Sequence, residues 1–67
     1  MNGTVTAFDD HVGLGTVTAP DGTEYLFHCV EIADGSRTIA VGTPVAFELL
    51  PKLGRYEASG LTDRGSP

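Results

Sequence analysis

Gly15-Thr16-Val17-Thr18-Ala19-Pro20-Asp21-Gly22-Thr23-Glu24-Tyr25-Leu26-Phe27-His28 is the stretch that decides the fold. Two alternating runs rich in strand-forming residues flank a compact turn signal. Proline fixes the first turn position and aspartate suits the second. Gly22 can take the left-handed conformation that a three-residue hairpin loop needs. That loop sets Ala19 opposite Thr23, Thr16 opposite Leu26 and Leu14 opposite His28. Alternation then sends Val17, Tyr25 and Phe27 to one face and Leu14, Thr16, Leu26 and His28 to the other. The first set makes the better core, joined by Val5, Val45, Phe47 and Leu49. The second set is the outward face, where a binding function would lie.

Reading outward from this hairpin, residues 4–8 form another strand-like run, followed by a polar loop that ends at Gly13. A loop region spans Ala33-Asp34-Gly35-Ser36 to Val41-Gly42-Thr43, and residues 45–50 alternate again. Pro51-Lys52-Leu53-Gly54 turns the chain into a fifth strand near residues 56–61. Residues 30–33 have room for one helical turn, and no stretch sustains the 3.6-residue apolar period of a longer helix. The pattern predicts an all-β fold, a five-stranded antiparallel barrel of the OB type, because closure removes exposed strand edges. The barrel is expected over residues 1–62, with 63–67 as a frayed tail.

A chain of 67 residues makes one domain. At this size a fold buries only about 60% of the surface its unfolded form exposes, so the core is small. Cys29 is the sole cysteine, so no internal disulfide forms, which suits a reducing compartment. The first residues lack the basic and apolar regions of a signal peptide, and no apolar run reaches membrane-spanning length. The expectation is a cytoplasmic protein that does not engage a membrane. Arg37, Lys52, Arg55 and Arg64 face nine acidic residues, for a net charge of −5. They form no basic cluster in the sequence. Phosphate neutralisation supplies most of the affinity of nucleic-acid binders, so charge alone disfavours nucleic acid as a partner.

The residues nevertheless carry a family pattern. Gly3-Thr4-Val5-Thr6-Ala7-Phe8-Asp9, Gly13-Leu14-Gly15-Thr16-Val17 and Tyr25-Leu26-Phe27-His28 follow one another in the order of three known strand motifs. Together they resemble the bacterial cold-shock domain, which opens G-K-V-K-W-F-N, continues K-G-F-G-F-I and carries V-F-V-H on its third strand. Gly35-Ser36-Arg37-Thr38-Ile39 and Val41-Gly42-Thr43-Pro44-Val45-Ala46-Phe47 keep the family spacing, and the resemblance spans residues 2–62. It implies a five-stranded OB-type barrel that binds single-stranded RNA or DNA by stacking bases on outward aromatics of the first three strands. The positions carried over as nucleic-acid contacts are Phe8, Leu14, Thr16, Leu26, His28 and Arg37.

Of these six, only Phe8, His28 and a basic residue at Arg37 keep the family's chemistry. Ala7 stands where the family has tryptophan, and Leu14, Thr16 and Leu26 replace phenylalanines. Cys29 replaces an aromatic, Ser36 a loop phenylalanine, and Thr4, Thr6 and Val12 replace lysines. Stacking is worth about 1–3 kcal/mol per base. Losing four platforms therefore costs on the order of 4 kcal/mol, roughly a thousandfold in affinity. The resemblance thus implies weak or atypical single-stranded nucleic-acid binding. The alternative is a protein-interaction module that has lost nucleic acid and docks a protein partner through Leu14 and Leu26.

Individual residues leave some choices open. His28 reads as a nucleobase contact or as an ordinary exposed strand histidine. Phe8 reads as a neighbour of the lost platform or as a cap on the core. Asp9, Asp10, His11, His28 and Cys29 are metal-ligand types, but their spacing matches no zinc pattern, and His28 and Cys29 diverge on a regular strand. No metal and no cofactor are expected. The sequence holds no nucleophile elbow, phosphate loop or HExxH, so no enzymatic activity is expected.

Overall fold

The computed structural model describes residues 1–33 and 35–64. Five strands run Asn2–Asp9 (β1), Leu14–Thr18 (β2), Glu24–His28 (β3), Pro44–Lys52 (β4) and Arg55–Asp63 (β5), with a 3₁₀ turn at Cys29–Glu31. They close into a barrel in the order β1-β2-β3-β5-β4. The fold is thus all-β and consistent with an OB-type barrel. One seam corrects the expectation of a wholly antiparallel barrel: β3 meets β5 in parallel, Leu26 opposite Glu57. Closure forces this, because β3 and β5 enter the same seam pointing the same way. The expected helical turn lies one residue early, at Cys29–Glu31.

The deciding hairpin forms in the expected register. Leu14 pairs with His28, Thr16 with Leu26 and Val17 with Tyr25. Gly22 takes φ 90°. Its N–H donates to Ala19 O at 2.9 Å, while the Ala19 N–H donates to Thr23 O at 2.8 Å. Val5, Val17, Phe27, Val45 and Phe47 are buried, with Ile32, Ala58 and Leu61 completing the core. Tyr25 and Leu49 pack against it half-buried. Because the two faces of each strand alternate, burying this set leaves Thr16, Leu26 and His28 directed outward.

Two irregularities reset the alternation. In β1 the partner of Val5 is Val17 but that of Ala7 is Thr16, so Thr6 is an extra residue. Such a bulge switches the side on which later side chains fall. Ala7 therefore turns outward and Phe8 inward. In β5 the register shifts opposite Phe47, where Gly60 and Leu61 are accommodated, and Leu61 enters the core.

The predicted frayed tail begins too early. Asp63 pairs with Val45 inside the β4–β5 ladder, and the Arg64 N–H donates to Pro44 O at 2.8 Å. Backbone pairing therefore holds the chain through residue 64. Residues 65–67 lie outside the described residues, as does Asp34 of the β3–β4 connection. Among the described residues, no helix is long and apolar enough to cross a membrane.

Candidate functional site

The outward face across β1, β2 and β3 is built by the register just described. Leu14, Thr16 and Leu26 are half-buried there, and His28 and Ala7 are exposed. Thr6, pushed out by the bulge, places its Oγ1 2.9 Å from Thr18 Oγ1. The face is low in relief: small hydroxyls and methyls, two leucines and one imidazole. It has no outward aromatic among the described residues of these three strands.

Phe8 does not belong to this face. Its ring stacks on Phe27 with centroids 5.9 Å apart and planes 8° from parallel. Gly15 makes that possible. It pairs with Phe8 on one side and Phe27 on the other. A Cβ on Gly15 would lie 2.8 Å from the Ala7 carbonyl oxygen and well inside van der Waals contact of Phe27 Cζ. The two rings close over the bare backbone, so Phe8 caps the core. Arg37 is also separate. It is exposed on the β3–β4 connection with φ 61°, outside the strand pairings that assemble the face.

His28 has a partner that strand alternation in the hairpin did not reveal. Its Nε2 lies 3.5 Å from Glu57 Oε1, and Arg55 Nη2 lies 3.4 Å from Glu57 Oε2. The Glu57 side chain is 5% exposed, whereas those of His28 and Arg55 are 49% and 64% exposed. A buried carboxylate is thus covered by two side chains that reach into solvent. Both contacts exceed the roughly 2.7–2.9 Å of a tight charge-assisted hydrogen bond, so the three side chains are held together loosely. Leu26 and Leu50 flank Glu57 in the same cross-strand row. The parallel seam therefore extends the outward face of β3 onto the β4–β5 ribbon.

That ribbon revises the charge reading. Lys52 and Arg55, three apart in sequence, are direct cross-strand partners beside the Leu53-Gly54 turn. Two of the chain's four basic residues therefore lie together in space. The sequence showed no cluster because strand pairing, not sequence adjacency, assembles it. Glu57, Arg55 and Lys52 are the site residues that sequence reasoning missed. The visible signal was Glu57 standing at an outward position of the fifth strand, next to core-facing Ala58.

The other features are local. In the β1–β2 loop the His11 N–H donates to Asp9 Oδ1 at 3.0 Å, and the Gly13 N–H donates to Asp9 O at 2.8 Å. Cys29 is half-buried, its N–H donating to Gly13 O at 2.8 Å. No group of three potential metal ligands converges among the described residues. A cavity of about 550 Å³ lies where Ile32, Ile39, Thr43 and Leu61 meet, at the end of β5 away from the Lys52–Arg55 ribbon.

Comparison with protein-family models and with curated proteins gave no match. What the site can do follows from its own chemistry. It offers an apolar strip (Leu14, Leu26, Leu50), hydroxyl donors and acceptors (Thr6, Thr16), and cations at one margin.

Proposed function

We propose that the chain is a small binding module of cold-shock type whose outward face contacts single-stranded RNA or DNA weakly. The observation that carries this reading is the convergence of Leu14, Thr16, Leu26 and His28 on one outward surface of a five-stranded barrel. These are the positions that match the family's binding strands. The placement of Phe8 in the core and the missing outward aromatics support weak rather than tight binding.

A second reading has its own observation. Leu26 and Leu50 flank a carboxylate that engages the Arg55 guanidinium and the His28 imidazole, a mixed apolar and polar surface that would also suit a protein partner.

A titration of the protein with a fluorescent mixed single-stranded oligonucleotide pool separates them. We expect dissociation constants in or above the non-specific range of about 10⁻⁴–10⁻⁶ M, rising steeply with salt. Submicromolar affinity at physiological salt would contradict the weak-binding reading, and no binding at low salt would favour the protein partner.

A further inference from the structure

We infer that the β4–β5 ribbon around Lys52 and Arg55 is the electrostatic anchor for a single-stranded nucleic-acid backbone, taking over from the depleted β1–β3 face. The inference rests on the nucleic-acid reading above and locates its main contact. Three observations lead to it.

Lys52 and Arg55 stand directly opposite each other on the ribbon. Like charges in that position destabilise a strand pair, and an anion bridging them removes the penalty. The arrangement is notable in a chain of net charge −5 with four basic residues.

Glu57 engages Arg55 from below and His28 from the neighbouring strand. It therefore acts as a positioning residue, holding Arg55 at the junction between the ribbon and the β3 face. A strand bound to the ribbon is thereby led onto Leu26 and Thr16.

The opposite side of the ribbon carries an aromatic. Alternation puts Tyr56 and its partner Pro51 on the side away from Lys52 and Arg55, and Tyr56 is 58% exposed. Leu53, at the turn, is fully exposed. Cations on one side of the ribbon and an accessible ring on the other suit a polymer that wraps the ribbon's tip, with phosphates against the cations and a flat base on the ring. An acidic polypeptide would use the cations and leave the ring idle. That pairing of features selects nucleic acid.

The test compares wild-type protein with four variants, using a fluorescent oligothymidylate and a fluorescent polyglutamate over a range of salt. The double variant Lys52→Ala/Arg55→Ala should bind oligothymidylate at least tenfold more weakly at low salt. Its plot of log affinity against log salt should be shallower by about 1.4, at about 0.7 per phosphate contact. Lys52→Glu keeps the Arg55–Glu57 contact and should show the same direction of change, so the test survives if losing Arg55 unfolds the barrel. Tyr56→Ala should weaken binding about fivefold or more while leaving the salt slope intact. Arg64→Ala, which removes a cation beyond β5, should leave the slope unchanged.

An unchanged slope in both Lys52 variants overturns the anchor while leaving weak binding at the β1–β3 face intact. Equal loss in Arg64→Ala overturns it too, since overall charge would then be acting. Polyglutamate binding as tightly as oligothymidylate, with the same dependence on Lys52, overturns nucleic acid as the occupant. Absence of oligonucleotide binding in the wild type overturns the anchor and the proposed function together.

Discussion

At the scale of single residues, Gly15, Asp21 and Glu57 each do one identifiable job. Gly15 leaves room for the Phe8–Phe27 stack. Gly15→Ala forces the rings and the Ala7 carbonyl apart, an overpacking change that costs about 1–3 kcal/mol. For a domain of this size the melting temperature should drop by at least about 4 °C; an unchanged value in a thermal melt would mean the rings yield freely. Asp21 accepts the Thr23 N–H at 2.9 Å. Hydrogen bonds from the Thr23 backbone and side chain hold its carboxyl below the usual aspartate range. A native pKa below the unfolded one gives stability that is full above the unfolded value, about pH 4, and is lost as pH falls through the native value. The melting-temperature gap between wild type and Asp21→Ala should therefore close on acidification below about pH 4. A gap that widens there would reverse the sign. Glu57→Gln removes the charge that holds Arg55 at the junction. A charge pair at roughly 4 Å in water is worth about 1 kcal/mol, so a folded variant should bind oligonucleotide up to about fivefold more weakly at low salt; tighter binding would mean the carboxylate acts by repelling phosphate and not by positioning Arg55.

At the scale of elements, the β2–β3 hairpin was the most legible part of the molecule. Its turn chemistry fixed the register, and the register fixed both faces. The bulge at Thr6 was not legible, because an extra residue leaves no mark on a short run of strand formers. It decides the role of Phe8, which plain alternation from Val5 would have turned outward. The β3–β5 seam was hidden for a different reason. Pairing between strands distant in sequence is set by closure, and Glu57 could not be joined to His28 without it. Lys52 and Arg55 flank a turn that the sequence did show, but the turn signal alone did not make them direct cross-strand partners. Adding an aromatic platform tests the proposed face at this scale. Ala7→Trp, Thr16→Phe, Leu26→Phe and Val12→Lys together alter outward or half-buried positions and leave Val5, Val17 and Phe27 in place. With about 1–3 kcal/mol per aromatic, single-stranded DNA should quench the new Trp at concentrations at least a hundredfold lower than those at which a labelled oligonucleotide binds the parent, which has no Trp. Exposed aromatics favour aggregation, so light scattering is the control. A folded, monodisperse variant that binds no better would assign the weakness to acidic surroundings such as Asp9, Asp10 and Glu24.

At the scale of the whole molecule, a small barrel serves as a scaffold for a surface. The core residues and turn signals follow one consistent pattern, and sequence therefore revealed strand order along the chain, the outward set and most of the core, but not Ile32, Ala58 and Leu61. The outward face carries hydroxyls and short aliphatics, and few of its side chains pack against the core. Charge is distributed unevenly over the barrel: a net −5 overall, with Lys52 and Arg55 paired at the end of one ribbon. The measurement that bears most directly on this account is a ¹⁵N-HSQC titration of the wild-type protein with oligothymidylate at low salt. The account predicts amide shifts concentrated at Thr16, Leu26 and His28 and along Lys52, Arg55 and Tyr56. Shifts confined instead to Ile32, Ile39, Thr43 and Leu61, around the cavity at the far end of β5, would contradict it.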